Sequence, residues 1–228
     1  KRVDDKMCYT VNRQIGSVIF PPLRVRLNCL GKHNVLNSLA AIALATELEI
    51  DDDVICQALE TFQGVGRRLE SYGSVKLGTK RVTLYDDYGH HPSEVEPTLA
   101  AIREAYPQKR VVLVFQPHRY TRTRDFFDEF VRVLSKADVL IMTEVYEAGE
   151  LPIPGVDSAG IARSIRMISG LNPVCVRGVE MALNVLVKLI ENDDVIITMG
   201  AGTIGSLASA IVLASKQSQP EKSNRVEL

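Results

Sequence analysis

The sequence predicts an α/β protein with a doubly wound, mainly parallel sheet, on three observations. Short apolar, β-branched runs such as "VVLVF" and "VIITM" have the continuous hydrophobicity of strands covered on both faces. They alternate with amphipathic helical stretches, the pattern of right-handed βαβ units. Polar clusters follow the strands directly, at the carboxyl edge where open α/β sheets bind their ligands.

The elements follow from local patterning. From about Gly16 to Leu30, short apolar runs broken by Pro21 and Pro22 predict two edge-like strands. A helix is expected from about His33, with Val35, Leu36, Leu39, Ile42, Ala43 and Leu48 at mostly three- and four-residue spacing. A second follows the acidic run 51–53, with Val54, Ile55, Ala58, Leu59 and Phe62 on one face, and ends at Gly64 and Gly66. Beyond them, strands are predicted at Val82 to Tyr88, Arg110 to Gln116, Asp138 to Val145, Pro173 to Arg177 and Asp194 to Met199. Helices are predicted over about 93–106, 122–136, 158–168, 179–191 and 204–215, and the polar tail from about 216 to 228 is expected to fray.

Composition narrows the function classes. The 228 residues are 46% apolar and 24% charged, as in a globular protein with a sizeable core. With 27 basic and 28 acidic residues the net charge is −1, so no global field attracts nucleic acid or an anionic membrane. No apolar run reaches the roughly 18 residues of a bilayer span and no signal-peptide core opens the chain, which makes the cytoplasm the default location. Cys8, Cys29, Cys56 and Cys175 form no CxxC pair, and Cys56 and Cys175, inside apolar segments, read as small buried hydrophobes. The chain enters strand-like text without a leading Met, so an upstream region is expected.

Four motifs carry potential chemistry. "GKHNVLN" opens a helix whose first-turn N–H groups suit phosphate or polar ligands. Asn34 and Asn37 share a face there, and an asparagine amide can both donate to and accept from an adenine edge, although capping by Asn34 accounts for it equally well. "QPHRYTRTR" sets His118, Arg119, Arg122 and Arg124 at a strand's carboxyl end with no acid before Asp125. Cations oppose the dipole of the following helix, so a forked grip on carboxylate or phosphate explains them better than a solvated helix start. "GAGTIG" has the spacing of a dinucleotide fingerprint, but it follows the last strand with no acidic residue in a later βα unit, so close strand–helix packing explains its glycines better. In "YDDYGHHP" strand alternation separates Asp86 from Asp87, and His90 and His91 are adjacent, which is poor spacing for metal ligands. No metal site is expected there; Asp87 is placed to accept from sugar hydroxyls, and His90 lies in the following turn.

Taken in order, "GKHNVLNSLAA", "GVGRRLE", "YDDYGHHPSEV", "VFQPHRYTRTRDFFDEF", "EVYEAGELPIPGVDS" and "MGAGTIG" closely resemble the C-terminal half of the Mur ligase family, over nearly the whole chain from Leu30 to about Ala210. The resemblance implies that 1–66 are the end of a central ATP-binding domain and 67–228 a C-terminal Rossmann-like domain. It implies an ATP-dependent amide ligation in peptidoglycan precursor synthesis, with UDP-N-acetylmuramate and L-alanine as substrates, and ATP and Mg2+ as cofactors. The family's phosphate-gripping "GTxGKT" loop and its magnesium ligands are absent from this chain, so the isolated piece is expected to be inactive. By motif, His33, Asn34 and Asn37 resemble the adenine-contacting set, Arg68 reaches the nucleotide from the interdomain hinge, and Asp87 resembles the ribose-binding aspartate. Tyr88, His90, His118, Arg119 and Arg122 resemble the group on the amino-acid and muramoyl side, the last four of them as the catalytic set. Alternatives are a related ligase that attaches a preformed tripeptide, a nucleotide-binding module without catalysis, and, from "GAGTIG" alone, an NAD-dependent oxidoreductase.

Overall fold

The computed structural model describes residues 2–3 and 6–217. Its elements are β1 (Arg2–Val3), β2 (Lys6–Val11), β3 (Gln14–Ile15), β4 (Val18–Ile19), β5 (Leu23–Leu27), α1 (Lys32–Glu47) and α2 (Asp52–Thr61), followed by β6 (Glu70–Leu77), β7 (Lys80–Asp87) and α3 (Pro92–Ala105). Then come β8 (Val111–Phe115), α4 (Tyr120–Asp125), α5 (Phe127–Leu134), β9 (Val139–Met142), α6 (Ser158–Ile168), β10 (Val174–Cys175), α7 (Gly178–Leu189), β11 (Val195–Met199), a 3-10 turn (Thr203–Ser206) and α8 (Leu207–Gln217). The tail expected to fray lies outside the described residues beyond Gln217.

The main sheet has the order β10-β9-β8-β11-β7-β6, and every pair except β6–β7 is parallel. Alternation inside the strands makes it doubly wound: Leu113, Phe115, Leu140, Met142, Ile197 and Met199 pack against α3, α5 and α6. Their neighbours Val112, Val114, Ile141 and Ile196 pack against α7 and α8 on the other face. Because β7, β11, β8 and β9 run the same way, the polar stretches "YGHHP", "GAGTIG", "QPHRYTRTR" and "EVYEAGE" that follow them collect along one edge.

A smaller antiparallel sheet, β1-β2-β5, packs Met7, Leu23, Val25 and Leu27 against Ile42 of α1 and Ile55 of α2. Among the described residues no helix is long and apolar enough to cross a membrane.

Several expectations are corrected. The strand expected to begin at Val82 begins at Lys80 and is the second arm of a hairpin; β6 was missed because Gly73 and Ser74 interrupt its alternation, at a register shift in the ladder. β2 was likewise missed, since its polar residues hide a strand that only its pairing with β5 reveals. The helix expected over 122–136 starts at Tyr120 and breaks at Phe126 (φ −118°, ψ 29°), whose ring meets that of His91 at 4.3 Å. In α1 the buried residues are Ser38, Ile42 and Thr46, while Leu36, Leu44 and the C-cap residue Leu48 are more than half exposed. The apolar face expected for α2 also splits, with Ile55 buried and Val54 and Phe62 exposed. Cys56 is half-buried and Cys175 exposed, so neither has the fully buried setting its apolar neighbours implied.

Candidate functional site

Two neighbouring regions hold the residues singled out by sequence. The first is a cavity of about 720 Å³ bounded by the start of α1, the end of α2, the 64–68 linker, the end of β7 and the start of α3. His33, Asn34, Asn37, Arg68 and Asp87 all line it, so three stretches far apart in sequence meet at one space.

Gly31 makes the close approach of α1 to α3 possible. Its φ of +90° is a left-handed value, and an added Cβ would lie 2.7 Å from the His33 ring and 2.9 Å from Ala101. Gly31, rather than Asn34, is the helix cap; Asn34 sits inside the first turn and donates to the Leu30 carbonyl at 2.8 Å. Asn37 reaches Asn34 only at 3.5 Å, which leaves most of its amide unspent. His33 Nδ1 is buried with no hydrogen-bond partner, and burial, reinforced by the Arg68 charge, lowers the imidazole pKa. The ring lines the cavity, while its Nδ1 is buried on the Gly31 side without a protein partner.

Asp87 is 5% exposed and accepts from the Leu69 N–H (2.7 Å) and the Gly89 N–H (2.6 Å). Burial raises its pKa, and those two backbone donors oppose the shift. The carboxylate thus fixes the linker to the end of β7, and each oxygen keeps a lone pair for a hydroxyl. Arg68 is half exposed, 3.8 Å from Glu94, with its guanidinium over the Tyr88 ring.

Sequence reasoning missed Arg67, beside the assigned Arg68. Its Nε donates to buried Asp86 at 2.8 Å and its Nη2 to the Gly200 carbonyl at 2.5 Å, while its carbonyl accepts from the Tyr88 N–H at 2.6 Å. Thr198 holds the other Asp86 oxygen at 2.6 Å. Burial still raises the Asp86 pKa, with Thr198 and Arg67 opposing. Arg67 (φ 57°) and Leu69 (φ 49°) both adopt left-handed backbone on either side of Arg68, so this clamp holds a strained linker at the cavity mouth. The doublet "RR" alone could not show which arginine turns inward.

The second region is the edge after β8 and β9. The rings of Tyr88 and His90 meet at 5.4 Å, those of His90 and His118 at 5.4 Å, and His118 stacks on Tyr146 at 5.2 Å. Arg122 donates to His118 Nδ1 at 3.2 Å and to its carbonyl at 3.1 Å. Burial lowers the His118 pKa, aided by the charges of His90, Arg122 and Arg119. Arg119 adopts φ 70°, ψ 134°, a conformation that side-chain-bearing residues avoid, and lies 3.6 Å from Glu150. The Nδ1 of His90 lies 3.0 Å from the Tyr88 carbonyl and 3.5 Å from Glu94. Among the residues expected to line the amino-acid side, Tyr88, His90, His118 and Arg122 are thus brought into one connected row, and Arg119 follows His118 directly.

His91 is not part of that row: it caps α3 reciprocally with Glu94. In "GAGTIG", a Cβ on Gly202 would lie 2.5 Å from Gln116 Oε1 and 2.6 Å from Tyr146, and one on Gly205 would lie 2.6 Å from the Arg67 guanidinium. The Ile204 N–H is already taken by Gln116 at 3.0 Å, so these glycines serve close packing and present no open phosphate cradle. Among the described residues no three of His, Cys, Asp and Glu gather as a metal-holding group.

Comparison with known proteins agrees with this architecture. The family profile "Mur ligase, glutamate ligase domain" matches residues 67–202. A UDP-N-acetylmuramate--L-alanine ligase of Ralstonia nicotianae is 47% identical over 230 residues, covering 100% of this chain and 47% of that protein. One from Cupriavidus taiwanensis is 48% identical over 214 residues, covering 93% and 45%. The crystal structure of the UDP-N-acetylmuramate-alanine ligase MurC of Thermotoga maritima superposes with TM-score 0.67 at 30% identity, over 86% of this chain and 41% of that one. The chain spans about half the length of the curated relatives it matches. With its six-stranded, mostly parallel sheet and a profile match over more than half its length, the chain belongs to the Mur ligase family.

Proposed function

We propose that this chain supplies one wall of the active site of an ATP-dependent ligase that joins the carboxylate of UDP-N-acetylmuramate to L-alanine in peptidoglycan precursor synthesis. The observation that carries the reading is the convergence of His33, Asn34, Asn37, Arg68 and Asp87 on one cavity. The names of relatives at 47% and 48% identity supply the substrates.

In this reading the cavity takes the adenosine of ATP: the amides of Asn34 and Asn37 and the neutral His33 ring face the base, and Asp87 accepts from the ribose. The γ-phosphoryl group passes to the muramoyl carboxylate, the alanine amine attacks the resulting acyl phosphate, and phosphate leaves. Such chemistry depends on position and on neutralising oxyanion charge. Arg119 and Arg122 are suited to the alanine carboxylate as a cationic fork. Because Arg122 can only donate, His118 Nδ1 must accept, which puts the proton of the neutral ring on Nε2 and makes it a donor to substrate oxygen. His90, ring to ring with His118 and Tyr88, completes the catalytic row.

Magnesium and the P-loop belong to an upstream segment in this reading, and residues 1–66 are the end of the ATP-binding domain that the segment completes. The exposed Leu36 and Leu44 of α1, with Leu48 at its C-cap, give it an apolar face to cover. The chain alone is expected to be inactive, and the complete enzyme to act in the bacterial cytoplasm.

The test is alanine-dependent phosphate release by the full-length ligase carrying this sequence, given UDP-N-acetylmuramate, ATP and magnesium. No release on adding L-alanine rejects the reading, and release only on adding a tripeptide reassigns the acceptor. Arg119→Ala should raise the alanine KM by about tenfold or more; near-normal kinetics would remove Arg119 from the site.

A further inference from the structure

The basic motif after β8 poses a physical problem, because the N-cap of α4 is Arg119, which makes no side-chain cap, and the first turn holds no acid; Arg122 and Arg124 fall in the last turn, where cations suit the dipole. The cation at the N-cap opposes the helix dipole, and the first N–H groups need acceptors. Glu150, on the loop after β9, answers both needs: its two oxygens accept from the Thr121 N–H at 2.9 Å and the Thr121 hydroxyl at 2.7 Å.

The same loop registers the backbone of the motif. The Arg119 N–H donates to the Tyr146 carbonyl at 2.8 Å, the Tyr146 N–H donates to the Pro117 carbonyl at 2.8 Å, and the Tyr146 ring stacks on His118. On its other side, the Thr123 hydroxyl donates to the Arg119 carbonyl at 2.8 Å. Arg119 is thereby held at φ 70°, ψ 134° by bonds on both of its peptide groups.

The spacing of Glu150 from Arg119 separates this arrangement from an ordinary ion pair. Arg132 grips Glu96 in fork geometry at 2.9 and 3.1 Å, and Arg110 grips Asp194 at 3.0 and 2.9 Å. Arg119 stands off at 3.6 Å with a side chain 49% exposed, and its guanidinium makes no hydrogen bond among the described residues. Glu150 spends its oxygens on Thr121 and leaves the Arg119 donors unspent.

We infer that Glu150 is a positioning residue for amino-acid recognition: it caps α4 in trans and aims Arg119 by charge without occupying its donors. This rests on the ligase reading above, and two experiments keep the two apart. In the full-length ligase carrying this sequence, Glu150→Ala raises the alanine KM about tenfold with kcat and the ATP KM within about twofold; Glu150→Gln, which keeps an acceptor for the Thr121 N–H, raises it only about threefold. An alanine KM within twofold of the parent in both variants overturns the inference, as does a parallel loss against alanine and ATP. Where the parent itself shows no alanine-dependent turnover, the ligase reading fails and the second experiment decides. In the 228-residue chain, hydrogen exchange at the Thr121 amide, which donates to Glu150 at 2.9 Å, should be about tenfold faster in Glu150→Ala. Unchanged exchange overturns the inference.

Discussion

In the cavity between α1 and α3, polar groups keep capacity to spare: Asn37 makes one bond of 3.5 Å and Arg68 is half exposed. Along the edge after β8 the backbone is held by specific bonds, from the Arg119 N–H to the Tyr146 carbonyl and from the Thr121 N–H to the Glu150 carboxylate. The cavity is organised by shape, through a glycine that lets two helices meet; the edge is organised by hydrogen bonds around a strained arginine. A site for a planar base can rely on walls and a few polar atoms, whereas gripping a small carboxylate demands that a cation be aimed.

That contrast can be broken from either side. Gly31→Ala should cost the most, about 3 kcal/mol, since it adds left-handed strain to a clash with His33 and Ala101. Urea unfolding of the chain would measure it, and a loss below about 1 kcal/mol would show that α1 shifts freely. Arg67→Ala should cost about 2 kcal/mol by leaving buried Asp86 without its charged partner. Asp86→Asn in the same background should recover part of that loss, and failure to do so would count against an electrostatic origin.

Arg119→Gly should have a smaller effect of opposite sign, stabilising the chain by about 1 kcal/mol, because glycine adopts φ 70°, ψ 134° with less strain than a residue carrying a Cβ. A destabilised variant would mean that the arginine side chain supports the fold.

The smallest effect is in pH dependence. Burial first, and nearby cations second, depress the pKa values of His33 and His118 below the ordinary imidazole range. A depressed histidine contributes stability above its unfolded value of about 6.5 and loses it as pH falls through the folded value. The urea midpoint should therefore drop from pH 7.5 to 5.5, and drop less in His33→Gln; equal drops would deny His33 its buried, neutral state.

Much of this could be read from sequence because strands covered on both faces have a signature in local composition, and polar text at their ends marks the ligand edge. The residues meeting at the cavity were legible through ordered motifs. β6 was not, since its pairing partner is what makes it a strand, and neither was the outward turn of Leu36 and Leu48, since helical spacing does not say which face finds a neighbour. Arg67 and Arg68 are equivalent as text; only the placement of Asp86 and the Gly200 carbonyl turns one inward.

The sequence by itself determined the α/β class, the order of the motifs and their collection at one edge, because periodicity and strand direction are local and topological properties. The tertiary structure decided which groups are spent and which are spare. It brings Glu150 from 29 positions away to cap α4, and it buries His33 Nδ1 without a partner. Hydrogen-bond satisfaction depends on distances between segments that no spacing along the chain encodes.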